Sequence, residues 1–202
     1  MYAVTEHVIE SLATAGWYVG RSIFSGRLTA MLSDRAAILV QSGALNVARI
    51  GRGDAAAANA DVRRDATLWL ADVPVHAAER EALAAVHALR TRLNETLYVG
   101  VREAELHFAH YEPGAFYRTH RDRFRDDNTR VVSLVFYLNC DWPDDAGGEL
   151  VLYADDDSGT VVTKVPPRAG TMACFLSDRF PHEVLPATRE RYSLTGWLRR
   201  AA

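Results

Sequence analysis

Cysteine is almost absent from this chain: Cys140 and Cys174 are the only two in 202 residues. They lack C-x-x-C spacing and are too few for a disulfide framework, which excludes a thiolate metal site and a stapled secreted scaffold. Each falls in a strand-like segment and is read as a small buried hydrophobe, with a reducing cytoplasm as the default compartment. Long apolar runs are also missing, none approaching the roughly 18–20 residues that span a bilayer. The start, Met-Tyr-Ala-Val-Thr-Glu-His, has no basic stretch leading into an apolar one, so no signal peptide is expected. A basic excess is lacking too: 23 Lys and Arg against 26 Asp and Glu leave a net charge of −3 and no electrostatic footprint for nucleic acid. What remains is ordinary, 49% hydrophobic and 24% charged, and long enough to bury the core of one domain spanning 1–202.

The first hundred residues read as helical support. Thr5 is taken as an N-cap, Val8, Ile9 and Leu12 fall at helical spacing, and Gly16 suits the C′ position. Short extended pieces follow at 17–19 and 22–24. A second helix carries Leu28, Met31, Leu32, Ile38 and Leu39, and a third carries Leu83, Val86, Leu89, Leu93 and Leu97. Between them, 51–61 is a Gly- and Ala-rich surface segment; such a loop serves as a lid, a binding loop or a disordered link. It leads into a strand over 62–70. After Gly100 the period changes from helical to extended. Strands are predicted at 104–110, 116–120, 131–138, 149–153, 160–165, 171–175 and 193–199, with turns at 126–128, 143–148, 155–159 and 166–167. The acidic run at 155–157 does not have EF-hand spacing and is read as a solvated hairpin tip. The fold class is mainly β with flanking helices (α+β): a jelly roll, or double-stranded β-helix, at 101–199 with the N-terminal helices packed on one sheet.

Chemistry gathers in the β-rich half. His120-Arg121-Asp122 places an imidazole and a carboxylate two residues apart, which on extended backbone is one face. The only histidine downstream is His182. Two imidazoles and one carboxylate with open positions form the facial arrangement of non-haem iron oxygenases; three such residues also arise by chance as surface and turn side chains. His7, His76, His87, His107 and His110 are read as helix-surface or strand residues. Past His182, the segment 191–198 sets Arg191, Ser193, Thr195 and Trp197 on one strand face. A buried arginine needs a partner, and no acidic residue stands on its face. A bound carboxylate suits a guanidinium fork, with Tyr137 aimed inward to share it; the alternative is an Arg191 that is exposed or paired with Glu190.

Taken together, these residues resemble the Fe(II)- and 2-oxoglutarate-dependent oxygenases, within them the prolyl hydroxylase branch of oxygen-sensing hydroxylases and their bacterial relatives. The resemblance rests on Tyr111-x-Pro-Gly-x-x-Tyr117-x-x-His120-x-Asp122, then Ser133-Leu134-Val135-Phe136-Tyr137-Leu138-Asn139 and Trp142. It continues through Gly147-Gly148-Glu149-Leu150, Pro167, Gly170, Phe175-x-Ser177-Asp178, Pro181-His182-Glu183-Val184 and Arg191-Tyr192-Ser193-Leu194-Thr195-Gly196-Trp197. Arg64-Asp65 with Trp69 is a weaker upstream echo.

The resemblance implies Fe(II) on His120, Asp122 and His182, and 2-oxoglutarate gripped by Arg191 with Tyr137, in a pocket lined by Tyr111, Thr195, Trp197 and Leu150. It implies O2 as the second cosubstrate, ascorbate as a supporting reductant, and Tyr117, Arg130 and Arg64 at the substrate mouth. Retention of Asp122 as a carboxylate disfavours halogenation. The mildly acidic balance and the lack of a further arginine motif after Trp197 disfavour nucleic acid as substrate, and no membrane partner is expected. The implied reaction is hydroxylation of a prolyl residue in a protein, with conversion of 2-oxoglutarate to succinate and CO2. Hydroxylation of a free amino acid or other small molecule is the alternative, and a non-catalytic metal-binding sensor is the reading from a different class. Oligomeric state is open, and a monomer is compatible with everything above.

Overall fold

The computed structural model describes residues 2–48, 58–123, 129–156 and 158–201. Most of the 51–61 segment and the turn at 126–128 lie outside the described residues. The chain begins with α1 (Tyr2–Thr14), β1 (Trp17–Arg21) and α2 (Gly26–Gln41), then β2 (Asn46–Val47), β3 (Asp65–Trp69) and α3 (Ala77–Leu97). Strands follow: β4 (Glu103–Tyr111), β5 (Tyr117–His120), β6 (Arg130–Tyr137), β7 (Leu150–Tyr153), β8 (Val161–Val165), β9 (Thr171–Leu176), β10 (His182–Val184) and β11 (Arg191–Arg199). They form a seven-stranded sheet, β1-β9-β6-β11-β4-β3-β2, and a four-stranded one, β5-β10-β7-β8. This is the jelly roll expected from the spacing of strands and turns.

Period-two alternation decides what each face of the large sheet does. On β4, β6 and β11 one set of alternate residues, including Leu106, Phe108, Leu134, Phe136 and Leu194, joins the helices in one aliphatic core with Leu28, Leu32, Leu89 and Leu93. The helices thus pack on one sheet, as their apolar stripes predict. The other set faces the small sheet, where Ala109, Val135, Tyr137 and Phe175 meet Leu150, Leu152 and Val184. β11 and β4 press so closely at Gly196 that an added Cβ would stand 1.9 Å from the Glu105 carbonyl oxygen.

Several local expectations fail for identifiable reasons. Thr5 lies inside α1, which already starts at Tyr2, while Ser25 is a genuine N-cap whose side chain accepts from the Leu28 N–H at 3.1 Å. Residues 22–24 are not a strand. There the Ser22 hydroxyl accepts from the Phe24 N–H, bending the chain into α2. The strand expected from 62 begins only at Asp65. β10 was not anticipated: three residues between Pro181 and Pro186 are too short to show a period. Cys174 is buried, as expected, but Cys140 is exposed, because it lies just past the end of β6.

Candidate metal and ligand site

β5 and β10 pair antiparallel with His120 directly opposite His182, so register brings together two histidines 62 positions apart (182 − 120). Asp122 follows β5 in the next turn. One ligand atom from each of the three lies within 4.8 Å of the others. His120 Nε2 stands 3.6 Å from Asp122 Oδ1, and His182 Nε2 stands 3.5 Å from Oδ2. These separations are too long for hydrogen bonds and suit three groups converging on a shared ion.

The imidazoles are oriented from behind. His120 Nδ1 lies 2.8 Å from the Arg118 carbonyl and His182 Nδ1 lies 2.9 Å from that of Phe180. A carbonyl only accepts, so each Nδ1 carries the proton and each Nε2 lone pair faces the centre. Burial pushes the Asp122 carboxyl up, but the His182 and His120 imidazoles outweigh it and hold it well below the usual carboxylate range. Burial and then the His182 charge depress His120. For His182, burial opposes protonation and the Asp122 carboxylate overcomes it, raising the imidazole above its ordinary value. The cluster is built around a negative charge awaiting a positive one.

A second wall faces this cluster across a cavity of about 610 Å³. Arg191 opens β11 opposite Tyr111 of β4, and only 2% of it is exposed. Its Nε donates to the Gly148 carbonyl at 2.9 Å. Gly148 has φ +75°, and a Cβ there would crowd Ala187 and Trp142. The guanidinium carbon lies 4.9 Å from the Tyr111 ring and 5.4 Å from that of Tyr137. Among the described residues no carboxylate pairs with Arg191. Glu190, the alternative partner, engages the Tyr192 hydroxyl and His110 instead.

Tyr137 is buried and its hydroxyl makes no hydrogen bond of good geometry, although the Arg191 guanidinium lies near enough to oppose, by charge and by hydrogen bonding, the burial that pushes its pKa up to about 12. Trp197 Nε1 also has no hydrogen-bond partner. A buried guanidinium with no carboxylate partner among the described residues, beside a hydroxyl in no hydrogen bond of good geometry, fits a small carboxylate, as donors left unsatisfied are costly unless something binds them. The opposed ligand cluster fits a divalent metal with open positions.

The cavity is lined by Tyr111, Leu150, Thr195, Trp197, Tyr117 and Arg130, while Tyr137 is not among its lining residues. Tyr117 stacks on His120 at 3.6 Å, and Arg130 lies 3.5 Å over the Trp197 ring while pairing with Glu105 at 3.1 Å. Arg64 does not line the cavity: it is exposed, lies over Phe116 and donates to the Ala60 carbonyl. Its neighbour Arg63 faces inward through a bridge to Tyr117, and a one-residue change of register flips the face.

Arg63 makes two hydrogen bonds, 2.7 and 2.6 Å, to the buried Asp65 and covers the Tyr117 ring at 4.2 Å. This pair was missed, although its i, i+2 spacing is the signal that revealed His120 and Asp122. His107 was also passed over. It lines the cavity between Trp69 and Trp197, at 4.6 and 5.5 Å, and burial lowers its pKa to about 4. Of the acidic run at 155–157, Asp157 lies outside the described residues, and Asp155 pairs with Arg121 at 2.8 Å and Arg179 at 3.4 Å, tying it to the metal-ligand turn.

Comparison with known proteins agrees with this chemistry. The profile of the 2OG-Fe(II) oxygenase superfamily matches residues 106–199. The crystal structure of a prolyl-4-hydroxylase from Pseudomonas putida is 40% identical, covering 98% of this chain and 100% of that one, with a TM-score of 0.86. A prolyl hydroxylase from Trichoplax adhaerens, solved with a hypoxia inducible factor oxygen degradation domain peptide fragment, is 26% identical, covering 98% and 89%, with a TM-score of 0.84. Among curated proteins, hypoxia-inducible factor prolyl hydroxylase of Caenorhabditis elegans is 35% identical over 86 residues, and Egl nine homolog 1 of Rattus norvegicus 34% over 85. Each match takes in 42% of this chain but only 12% and 25% of those longer proteins.

Proposed function

The chain belongs to the 2OG-Fe(II) oxygenase superfamily, and from that premise we propose that it is a 2-oxoglutarate-dependent prolyl hydroxylase acting on a protein or peptide. One observation carries the reading: a His-Asp-His cluster and a buried arginine without a carboxylate partner face one cavity. When bound, Fe(II) with O2 converts 2-oxoglutarate to succinate and CO2 and delivers one oxygen atom to a substrate C–H bond.

The chain's own residues supply placement. His120, Asp122 and His182 hold the metal, with the two Nδ1–H groups anchored on backbone carbonyls. Arg191 holds the far carboxylate of the cosubstrate, joined by the Tyr137 hydroxyl after a small adjustment. Tyr111, Thr195, Leu150 and Trp197 exclude water around it, so that the reacting groups meet in fixed geometry. Arg63, locked by Asp65, and Tyr117 brace His120 from the mouth of the cavity, with Arg130 over Trp197 across from them. No described helix is long and apolar enough to cross a membrane. We read 1–202 as one oxygenase domain working in the cytoplasm, with ascorbate keeping the iron reduced.

The prolyl assignment is supported by the two solved prolyl hydroxylases, which align over nearly the whole chain. Its test is incubation with Fe(II), 2-oxoglutarate and O2 against proline-containing proteins, proline-containing peptides and free amino acids, followed by mass spectrometry. Succinate release with one added oxygen on a prolyl residue of a polypeptide is the expected result. Oxygen added only to free amino acids overturns the polypeptide assignment, and absence of succinate with every substrate overturns the enzymatic reading.

A further inference from the structure

The two imidazoles of the metal cluster are each held by a backbone carbonyl, but Asp122 sits beyond the end of β5 in a turn that no strand pairing restrains. What orients its carboxylate is a serine. Ser133 Oγ lies 2.6 Å from Asp122 Oδ2, and the same oxygen lies 2.9 Å from Ser177 Oγ. Both serines are shut away from solvent, with exposures of 2% and 0%. A carboxylate only accepts, so the Ser133 hydroxyl spends its one proton on Asp122, and Ser177 must donate to Ser133. The order is therefore fixed: Ser177 to Ser133 to Asp122.

The anchors of this chain are rigid. Ser133 lies mid-strand in β6, flanked by Trp197 of β11 and Phe175 of β9. Ser177 directly follows β9. Its N–H donates to the Val131 carbonyl at 3.0 Å, and its own carbonyl accepts from the Arg123 N–H at 3.3 Å, next to Asp122. The Ser133 hydroxyl, set by Ser177, thus holds Oδ2, the oxygen 3.5 Å from His182 Nε2. Oδ1 accepts no bond from the two serines and stands 3.6 Å from His120 Nε2.

We propose that Ser133, set by Ser177, is a positioning residue that keeps Asp122 a one-oxygen metal ligand. The consequence is a matter of coordination count. Two nitrogens and one oxygen leave three of six octahedral positions, whereas a carboxylate that swings to bind through both oxygens leaves two. A two-point 2-oxo acid and O2 together need three. The inference rests on the function proposed above, and it concerns residues to which that reading gave no role.

Mn(II) is a suitable probe, because its EPR signal counts free ion and water-proton relaxation reports the waters on bound ion. Ser133→Ala is expected to weaken Mn(II) binding about ten- to hundredfold, the usual cost of losing an outer-shell partner. It is also expected to lower relaxation per bound ion, as the freed carboxylate displaces a water. Ser133→Thr, which keeps the hydroxyl, restores both; Ser177→Ala shows the same changes at smaller size.

Ser133→Ala with unchanged affinity and relaxation overturns the proposal, as does a weakened affinity whose relaxation per bound ion stays at the wild-type value. Should Ser133→Ala fail to give the native circular dichroism spectrum, Ser177→Ala decides, and unchanged values there overturn the relay. Wild-type protein that binds no Mn(II) sinks the metal site and the relay together. Wild-type binding with unaffected variants sinks the relay alone.

Discussion

The two faces of the large sheet are both buried, and for opposite reasons. On the helix side Leu106, Phe108, Leu134, Phe136 and Leu194 meet aliphatic side chains, and the polar atoms left without a hydrogen bond include Thr29 Oγ1 on α2 and His110 Nε2, which stands 3.7 Å from Glu190. On the cavity side the alternate residues of the same strands include Arg191, Tyr137, Trp197 and His107, and the last three each keep a polar atom in no hydrogen bond of good geometry. Leaving such a group unsatisfied costs on the order of 1–3 kcal/mol. One face therefore stabilises the fold, while the other holds binding capacity that only a ligand releases. The strands β4, β6 and β11 must satisfy both demands within a two-residue period, which accounts for neighbours as unlike as Phe136 and Tyr137.

The largest effect expected from the cavity side is at the metal. His182→Ala removes a ligand whose place no other described histidine can take, and succinate release should fall to the detection limit while the urea unfolding midpoint stays near that of wild type. Retained turnover in this variant would remove the triad from its role. Arg191→Ala comes next. Losing a buried charge partner costs about 2 kcal/mol or more, which raises the 2-oxoglutarate requirement roughly thirtyfold or more. Mn(II) affinity should hold, since Arg191 touches no metal ligand. An unchanged cosubstrate dependence would take Arg191 out of the cosubstrate site. Phe136→Ala tests the opposite face. It should destabilise the fold by about 3–5 kcal/mol in urea unfolding, yet leave the 2-oxoglutarate affinity of the folded protein as it was.

His107 sharpens the contrast through pH. Burial lowers its folded pKa to about 4, whereas an imidazole in the unfolded chain titrates near 6.5. Between those values the unfolded chain binds a proton that the folded chain refuses, so stability falls as pH drops from about 6.5 to about 4. The stability it contributes is fully present above that window. His107→Phe should flatten the stability curve across the window by on the order of 3 kcal/mol, read from urea midpoints at several pH values. An identical slope in the variant would show that the imidazole is protonated in the fold.

The cavity-side chemistry was more legible in the sequence than its scaffold. His120 and Asp122 lie two residues apart and come together, although Asp122 falls in the turn after β5 rather than on the strand. Arg191, Thr195 and Trp197 lie on one strand face, so period two alone predicts their company. The long strands β4, β6, β9 and β11 were visible for the same reason. β10 was not, because three residues between prolines show no period, and the meeting of His120 and His182 is a register across strands far apart in sequence. The choice of Arg63 over Arg64 turned on an isolated bridge to Tyr117 outside any regular strand, a tertiary contact that a local pattern does not carry. Ser133 and Ser177 stood inside recognised motifs, yet their hydroxyls acquire a role only when β6 and the end of β9 come within 3 Å of one another at those atoms.

The smallest effect is the most diagnostic, because it has two opposite signs. Tyr137→Phe removes one oxygen from the cavity side and nothing else. In the ligand-free protein that oxygen is buried and makes no hydrogen bond of good geometry, with the Arg191 guanidinium beside it, so its loss should raise unfolding free energy by about 1 kcal/mol. In the bound protein it is a donor to the cosubstrate carboxylate, so 2-oxoglutarate affinity should fall by about two- to tenfold, matching a net 0.5–1.5 kcal/mol hydrogen bond. Urea unfolding with and without 2-oxoglutarate and Mn(II) reads both signs on one sample: the variant starts more stable and gains less from ligand. A variant less stable than wild type with unchanged affinity would mean that the Tyr137 hydroxyl is satisfied within the fold, and the cavity side would then lose its claim to stored binding energy at that position. The neighbouring Phe136→Ala can show no such inversion, since on the helix side every atom removed was already stabilising the free chain.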